Sequence, residues 1–141
     1  MRATKPVILV VAAALYDGEG RVLIARRPRG THLAGRWEFP GGKVAPGEPE
    51  AAALARELRE ELGVEVIASR PLMRFEHAYE DRRVELSMWI VERFAGAPRA
   101  LDGQLLKWVA PAHLAGHDLL EADRPFVEAL QRLPAPAPRG D

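Results

Sequence analysis

One amphipathic helix between strand-like segments limits the possible folds of this chain more than any other feature. Within residues 49–62, leucines recur every four positions at Leu54, Leu58 and Leu62, on one helical face. Pro49 fits the first turn, and Gly63 follows where a left-handed C-cap belongs. We therefore predict a helix whose leucines pack against a sheet formed by the flanking segments.

Strand-like segments precede this helix. Residues 7–16 and 21–26 flank the turn sequence Asp17-Gly18-Glu19-Gly20, which predicts a β-hairpin. A loop over residues 27–36 leads to a short strand at 37–39, and Pro40-Gly41-Gly42 is expected to break the chain. Arg2 and Lys5 before the first apolar run also allow a signal peptide. A buried strand is favoured, because only that interpretation explains the hairpin.

More strands and a second helix follow. Residues 72–79 and 84–94 flank a polar turn and predict another hairpin, and residues 105–109 predict a further strand. Residues 124–133 predict a helix with Asp123 as N-cap. The order predicts one α/β (α+β) domain over residues 1–133, with helices on a mixed, partly antiparallel sheet. The Pro/Ala-rich tail at 134–141 is expected to be disordered.

The amino-acid composition excludes several classes of protein function. Twenty Lys and Arg balance twenty Asp and Glu, whereas gripping duplex nucleic acid requires a basic excess. The chain has no cysteine, so disulfides, thiol nucleophiles and Cys-ligated zinc are ruled out. No apolar run approaches the ~18 residues of a membrane span. We expect a monomeric cytoplasmic protein without a membrane or duplex nucleic-acid partner.

Three carboxylates share one face of the first helix. Glu57, Glu60 and Glu61 stand at i, i+3 and i+4, where like charges repel one another. A hard divalent ion such as Mg²⁺ takes oxygen ligands of this kind and completes its shell with water and substrate phosphates. From the helix alone, a solvated charged face is the commoner explanation of the same pattern.

The spacing around the helix identifies a family. Gly42, five residues, Glu48, seven residues and then Arg-Glu-Leu-Arg-Glu-Glu-Leu-Gly-Val at 56–64 resembles the signature of the Nudix hydrolases. The MutT-type branch is matched further by segments that extend the similarity over about residues 7–130: Arg26-Arg27, Trp37-Glu-Phe-Pro-Gly-Gly-Lys43, Tyr79-Glu-Asp-Arg82, Asp102-Gly-Gln104 and Ala122-Asp-Arg-Pro125.

The resemblance implies a fold, a reaction and a metal. The family fold is an α/β/α sandwich, and the MutT branch converts a nucleoside triphosphate such as 8-oxo-dGTP to a monophosphate and pyrophosphate. The implied cofactor is Mg²⁺, with Mn²⁺ as a possible substitute. Glu60, Glu61 and the Gly41 carbonyl are the implied ligands, and Glu57 is either a ligand or the general base. Asp102 is either a further metal-site acid or an ordinary loop residue.

The resemblance also implies supporting and substrate-binding residues. Arg56 is expected to buttress the carboxylates, and Glu48 to orient the loop or assist the metal. Together with Glu57, Glu60 and Glu61 they form the expected catalytic set. The substrate residues implied are, for the phosphates, Arg27 and Lys43 and, for the base, Phe39, Asp81, Arg82 and Asp123.

Asp123 is a departure, since the MutT branch reads the base with a side-chain amide there. An amide can donate to and accept from guanine, whereas an ionised carboxylate only accepts. It can accept from guanine N1–H and N2–H₂, or from the N4–H₂ of cytosine. This departure therefore weakens the prediction of 8-oxo-dGTP, which stays the first hypothesis, and strengthens the alternative of a CTP or dCTP pyrophosphohydrolase. A catalytically silent Nudix-fold binding module is a further alternative. The sequence also leaves open that Asp123 only caps the last helix.

Overall fold

Two β-sheets form the framework of this computed structural model, which describes residues 6–134. The elements are β1 (Val7–Leu15), β2 (Val22–Arg26), β3 (Trp37–Glu38), β4 (Gly41–Lys43), α1 (Glu50–Leu62), β5 (Glu65–Ala78), β6 (Arg83–Ala95), β7 (Leu105–Val109) and α2 (Arg124–Arg132). The first sheet has the order β4-β1-β6-β5 and the second β3-β2-β7. Short 3₁₀ turns at Pro111–Gly116 and Glu121–Asp123, which we did not predict, lead into α2.

β1 is the central strand, and its sequence explains why. It runs parallel to β6 and antiparallel to β4, so both its edges are paired. Val11, Ala13 and Leu15 join a buried cluster with the leucines of α1. Ala12 and Ala14 join a second buried cluster with α2 on the opposite face. A strand buried on both faces requires an unbroken apolar run, and the predicted mixed sheet between helices is confirmed.

The predicted hairpin between β1 and β2 is wrong. Only an isolated bridge between Tyr16 and Val22 joins them, and β2 belongs to the second sheet. The physical reason is that β6 and β4 already occupy both edges of β1. The β5–β6 hairpin is confirmed, but β5 begins at Glu65 rather than 72. Register shifts between Val66 and Met73 disturb its alternation, which hid this part of the strand.

β4 is a strand that we predicted as a chain break. Gly41 pairs with Ala12 of β1, and a β-carbon at position 41 would overlap the Val11 carbonyl. Glycine is therefore required here for the close approach of two backbones, and not to turn the chain. The strand brings Gly41, Gly42 and Lys43 beneath α1.

The helix boundaries follow their predicted caps closely. α1 buries Ala53, Leu54, Leu58 and Leu62, and ends at Gly63, which has a φ of 70°. α2 begins after Asp123, but the Asp123 side chain makes no capping hydrogen bond. Beyond Pro134, the predicted tail lies outside the described residues. Within residues 6–134, no helix is long and apolar enough to cross a membrane.

Candidate active site

Arg56 organises the acidic face of α1. Its guanidinium donates to both Glu48 carboxylate oxygens at 2.9 Å and to Glu57 at 3.0 Å. It also donates to the Lys43 carbonyl at 3.1 Å and to Glu60 at 3.4 Å. One cation therefore links the helix to β4 and to the loop after it. The Arg56 hydrogen bonds and the Ala45 N–H lower the Glu48 pKa to about 2, so Glu48 stays ionised and holds the loop.

The three helix carboxylates differ in their surroundings. The Glu57 side chain is 16% exposed and packs so close to Gly42 that a β-carbon there would overlap its carboxylate. Burial raises the Glu57 pKa. The Glu60 side chain is 59% exposed and lines neither of the cavities described below. Sharing a helical face thus does not make the predicted residues equivalent.

Glu61 has the least compensated charge of this group. Its carboxylate accepts a hydrogen bond from the Gly41 N–H at 3.3 Å. Burial, followed by the negative charges of Glu57, Glu38 and Asp102, raises the Glu61 pKa to about 8. A half-buried carboxylate among other carboxylates is a position that a cation would stabilise.

A loop brings Asp102 to the same place. Asp102 lines a cavity together with Glu61. Its N–H donates to the Gln104 side chain at 2.9 Å, and the Gln104 amide donates to the Glu61 carbonyl at 3.3 Å. The buried Gln104 therefore ties the loop to α1. Asp102-Gly-Gln104 belonged to the matched segments, but we assigned no role to Gln104.

Two cavities meet at Glu61. One, of about 310 Å³, lies between β1, β4, the β5–β6 turn and the start of α2. The other, of about 280 Å³, lies between the end of β2 and the Asp102 loop. Both are lined by Arg27, Glu38 and Glu61. The structure thus places Glu61 at the junction of two adjoining cavities, with Asp102 on the wall of the smaller one, whereas Glu57 and Glu60 line neither.

An ion pair that we did not predict stands at the junction. Arg27 donates to Glu38 at 2.6 Å and to the His32 carbonyl at 2.6 Å. Burial raises the Glu38 pKa, and the Arg27 hydrogen bond opposes that change. In the sequence, Glu38 belongs to a short strand and to the matched segment at 37–43, but neither indicates a role for its side chain. Its function as a partner of Arg27 depends on the pairing of β2 with β3.

Asp123 lies on the wall of the larger cavity. It is 4% exposed, and its carboxylate accepts a hydrogen bond from the Phe39 N–H at 3.4 Å. Burial, reinforced by the negative charge of Glu38, raises the Asp123 pKa to about 7. Its carboxylate faces the cavity and Phe39 and makes no bond to α2, so the capping interpretation does not describe its contacts.

The other predicted substrate residues divide into two groups. Lys43, Arg82 and Phe39 line the larger cavity, although Phe39 is buried and packs edge-to-face on Phe126 at 4.8 Å. Asp81 is 75% exposed, pairs with Arg82 and does not line the cavity. Residues that we did not assign as substrate-binding also line it: His32, Leu33 and Tyr79.

The donor set at the junction fits a hard divalent cation. It consists of carboxylates and nearby backbone carbonyls, without sulfur. Among residues 6–134, no three His, Asp or Glu side chains form a metal cage by themselves. Mg²⁺ is commonly held by one or two carboxylates, water and substrate phosphates. Glu57, Glu61 and Asp102 are thus suited to hold an ion shared with a phosphorylated ligand.

Replacing Gly42 tests whether the Glu57 carboxylate position matters for cation binding. We expect Gly42→Ala to weaken Mn²⁺ binding about tenfold or more, because the added methyl group must displace the Glu57 carboxylate. Calorimetric titration of the metal-free protein measures this. Gly18→Ala is the matched control, since Gly18 has open space around it. Equal Mn²⁺ affinity in both variants would contradict the assignment.

The pKa of Glu61 predicts how the stability of the metal-free protein depends on pH. Between about pH 4.3, the unperturbed value, and pH 8, the folded protein holds a proton that the unfolded chain has lost. The free energy of unfolding therefore falls as pH rises through this window. In Glu61→Gln we expect a shallower fall, measured by urea unfolding in EDTA at pH 5, 6.5 and 8. Glu128→Gln, at an exposed position of α2, should keep the wild-type slope.

Comparisons with known proteins agree with this geometry. Residues 11–129 match the model of the NUDIX domain. The chain is 38% identical to the CTP pyrophosphohydrolase of Escherichia coli over 93% of this chain and 97% of that protein. It is 34% identical to the 8-oxo-dGTP diphosphatase of E. coli, over 89% and 98%. The solution structure of the E. coli ORF135 protein superimposes with a TM-score of 0.82 at 39% identity, covering 97% and 96% of the two chains. This chain belongs to the Nudix hydrolase family.

Proposed function

We propose that this Nudix hydrolase is a Mg²⁺-dependent nucleoside triphosphate pyrophosphohydrolase that removes 8-oxo-dGTP from the nucleotide pool. The observation that carries the proposal is the position of Glu61 at the junction of two cavities. A nucleotide whose base occupies the larger cavity brings its phosphates to the acidic cluster. The relatives named 8-oxo-dGTP diphosphatase and CTP pyrophosphohydrolase support the reaction class.

The larger cavity suits a nucleobase. Apolar side chains such as Ile8, Val10 and Leu33 provide walls for a planar ring, and Asp123 and Tyr79 provide polar groups. A few polar groups among apolar walls fix the orientation of a ligand, and its burial supplies most of the binding free energy. The base therefore binds between the β1 side and the start of α2.

The surroundings of Asp123 bear on the choice of base. A pKa of about 7 means that a large share of the carboxyl groups are protonated at neutral pH. A protonated carboxyl donates one hydrogen bond and still accepts another, as an amide does. It can donate to O6 of 8-oxoguanine and accept from N1–H. Burial thus compensates for the aspartate that stands where the MutT branch has an amide, and this favours 8-oxo-dGTP.

Different residues of the chain bind the phosphates, hold the metal ion and position the carboxylates. Arg27 and Lys43 face the cavities and neutralise phosphate charge. Bound Mg²⁺ supplies further charge neutralisation and polarises the attacking water. Glu61 and Asp102 hold the ion, together with the Gly41 carbonyl and with Glu60 from its exposed position. Glu57 either holds it too or takes the proton from water, and Arg56 and Glu48 fix Glu57 in place.

A second candidate substrate is CTP or dCTP. The observation favouring it is Asp123 itself, because its ionised form accepts from the N4–H₂ of cytosine. The similarity to a protein named CTP pyrophosphohydrolase points the same way. Mn²⁺ is expected to replace Mg²⁺, since both take oxygen ligands. We further propose that the protein acts in the cytoplasm as a monomer on small nucleotides.

Pyrophosphate release with Mg²⁺ tests the reaction. We expect turnover of 8-oxo-dGTP to exceed that of dGTP, dCTP, CTP, dATP and ADP-ribose in kcat/KM. Glu57→Gln should lower kcat by about a hundredfold or more, because it removes a ligand or the general base. Glu128→Gln should leave kcat unchanged. A lead for cytosine nucleotides would select the second candidate, and no turnover of any nucleotide would support a silent binding module.

Asp123 gives the base preference a pH dependence. Between pH 6 and 8.5 the carboxyl loses its proton, so the ratio of kcat/KM for 8-oxo-dGTP to that for dCTP should fall about tenfold. The charged and titratable groups around it are Glu38, Arg27, Tyr79 and Arg82. Asp123→Asn, which retains a donor and an acceptor, should make the ratio independent of pH. An unchanged pH profile in Asp123→Asn would show that Asp123 does not read the base.

A further inference from the structure

A third groove, rich in arginine, adjoins the smaller cavity. It has a volume of about 250 Å³ and is lined by Arg26, Arg27 and Arg29, with Pro28, Gly35, Gly103 and Leu105. Arg26, Arg27 and Pro28 also line the cavity that contains Glu61 and Asp102. The groove therefore adjoins the cavity that contains Glu61 and Asp102, and it shares only Arg27 with the larger cavity.

Two of the three arginines are without a countercharge. Arg27 pairs with Glu38, but Arg26 and Arg29 are exposed, and no carboxylate among residues 6–134 forms an ion pair with either. Arg93, Arg99, Arg124 and Arg132 of this part of the chain also form no ion pair, but none of them lines the groove, whereas Arg26 and Arg29 lie beside the same space. Uncompensated guanidinium groups beside one groove favour an anion, and the planar fork of arginine suits phosphate oxygens.

The smaller cavity shares Glu38 and Glu61 with the larger cavity, and Arg26 and Pro28 with the groove, so it lies between them. The larger cavity contains Asp123, the smaller one Asp102 and the groove Arg29, and Arg27 lines all three. A nucleotide with its base beside Asp123 thus directs its phosphates past Glu61. The arginine groove is the next space that the end of such a phosphate chain would meet.

We propose that Arg26 and Arg29 form an anion subsite for the terminal phosphate of the substrate, the part released within pyrophosphate. This rests on the proposed function. The terminal phosphate carries the highest charge of a triphosphate, and it is absent from a diphosphate. The groove therefore makes the enzyme prefer triphosphates, and it holds inorganic pyrophosphate after the bond is broken.

The experiment compares two substrates that differ by this phosphate. kcat/KM is measured for 8-oxo-dGTP and 8-oxo-dGDP with Mg²⁺, or for CTP and CDP if cytosine proves preferred. In Arg26→Gln/Arg29→Gln we expect the triphosphate-to-diphosphate ratio to fall about tenfold, because only the triphosphate reaches the groove. Arg93→Gln/Arg132→Gln is the matched control, since both arginines are exposed and line none of the three spaces.

Calorimetric titration with inorganic pyrophosphate and Mg²⁺ provides a readout independent of turnover. We expect the dissociation constant to rise about tenfold in Arg26→Gln/Arg29→Gln and to stay at the wild-type value in the control. If the wild type hydrolyses no nucleotide, the proposed function fails, and this titration alone decides on the subsite. Equal pyrophosphate affinity in the arginine variant and the control overturns the inference.

Discussion

Repulsion between carboxylates on α1 is the constraint on which the site depends. Arg56 relieves it on one side, through hydrogen bonds to Glu48 and Glu57. No cation among residues 6–134 forms an ion pair with Glu61, and burial, together with the charges of Glu57, Glu38 and Asp102, raises its pKa to about 8. The fold thus concentrates negative charge around Glu61, whereas Arg56 cross-links Glu48 and Glu57. In the proposed site, this asymmetry makes Glu61 the position that a cation would stabilise, while Arg56 holds the helix and the loop in place.

The close approach of β4 to β1 and to α1 connects the carboxylates of α1 with the sheet. Gly41 lies against β1, and Gly42 lies against the Glu57 carboxylate, so neither position has room for a side chain. The same two glycines that bring β4 onto the central strand therefore bring the backbone to the acidic cluster. The leucines of α1 are buried against β1 and hold the helix in place on the sheet. Packing of the apolar face of α1 consequently positions the carboxylates on its other face.

Acidic and basic side chains line different parts of the two cavities and the arginine groove. Asp123 stands at one end, the carboxylates at the middle, and Arg26 and Arg29 at the other end. Arg27 lines all three spaces and pairs with Glu38, which lines both cavities. Such a sequence of charges suits a ligand whose base, metal-bound phosphates and terminal phosphate differ in the same order.

The sequence by itself determined α1 and the family. The leucine repeat and Gly63 are local signals, so the helix, its cap and the Arg56–Glu57–Glu61 spacing could be predicted and are confirmed by the fold. The roles of those residues stay predictions. The pairing of strands could not be predicted in the same way. The sequence of β1 and β2 predicts a hairpin, but the two strands belong to different sheets, because which strands pair with the edges of β1 depends on the whole fold.

Only the tertiary structure decided how distant residues act on one another. Phe39 and Asp123 are 84 positions apart, and no local pattern indicates that the N–H of one reaches the carboxylate of the other. Nor does sequence show that burial and Glu38 raise the Asp123 pKa to about 7, or that the groove beyond Glu61 collects arginines. Periodicity and spacing report contacts along the chain, whereas burial and charge at a site depend on segments that meet only after folding.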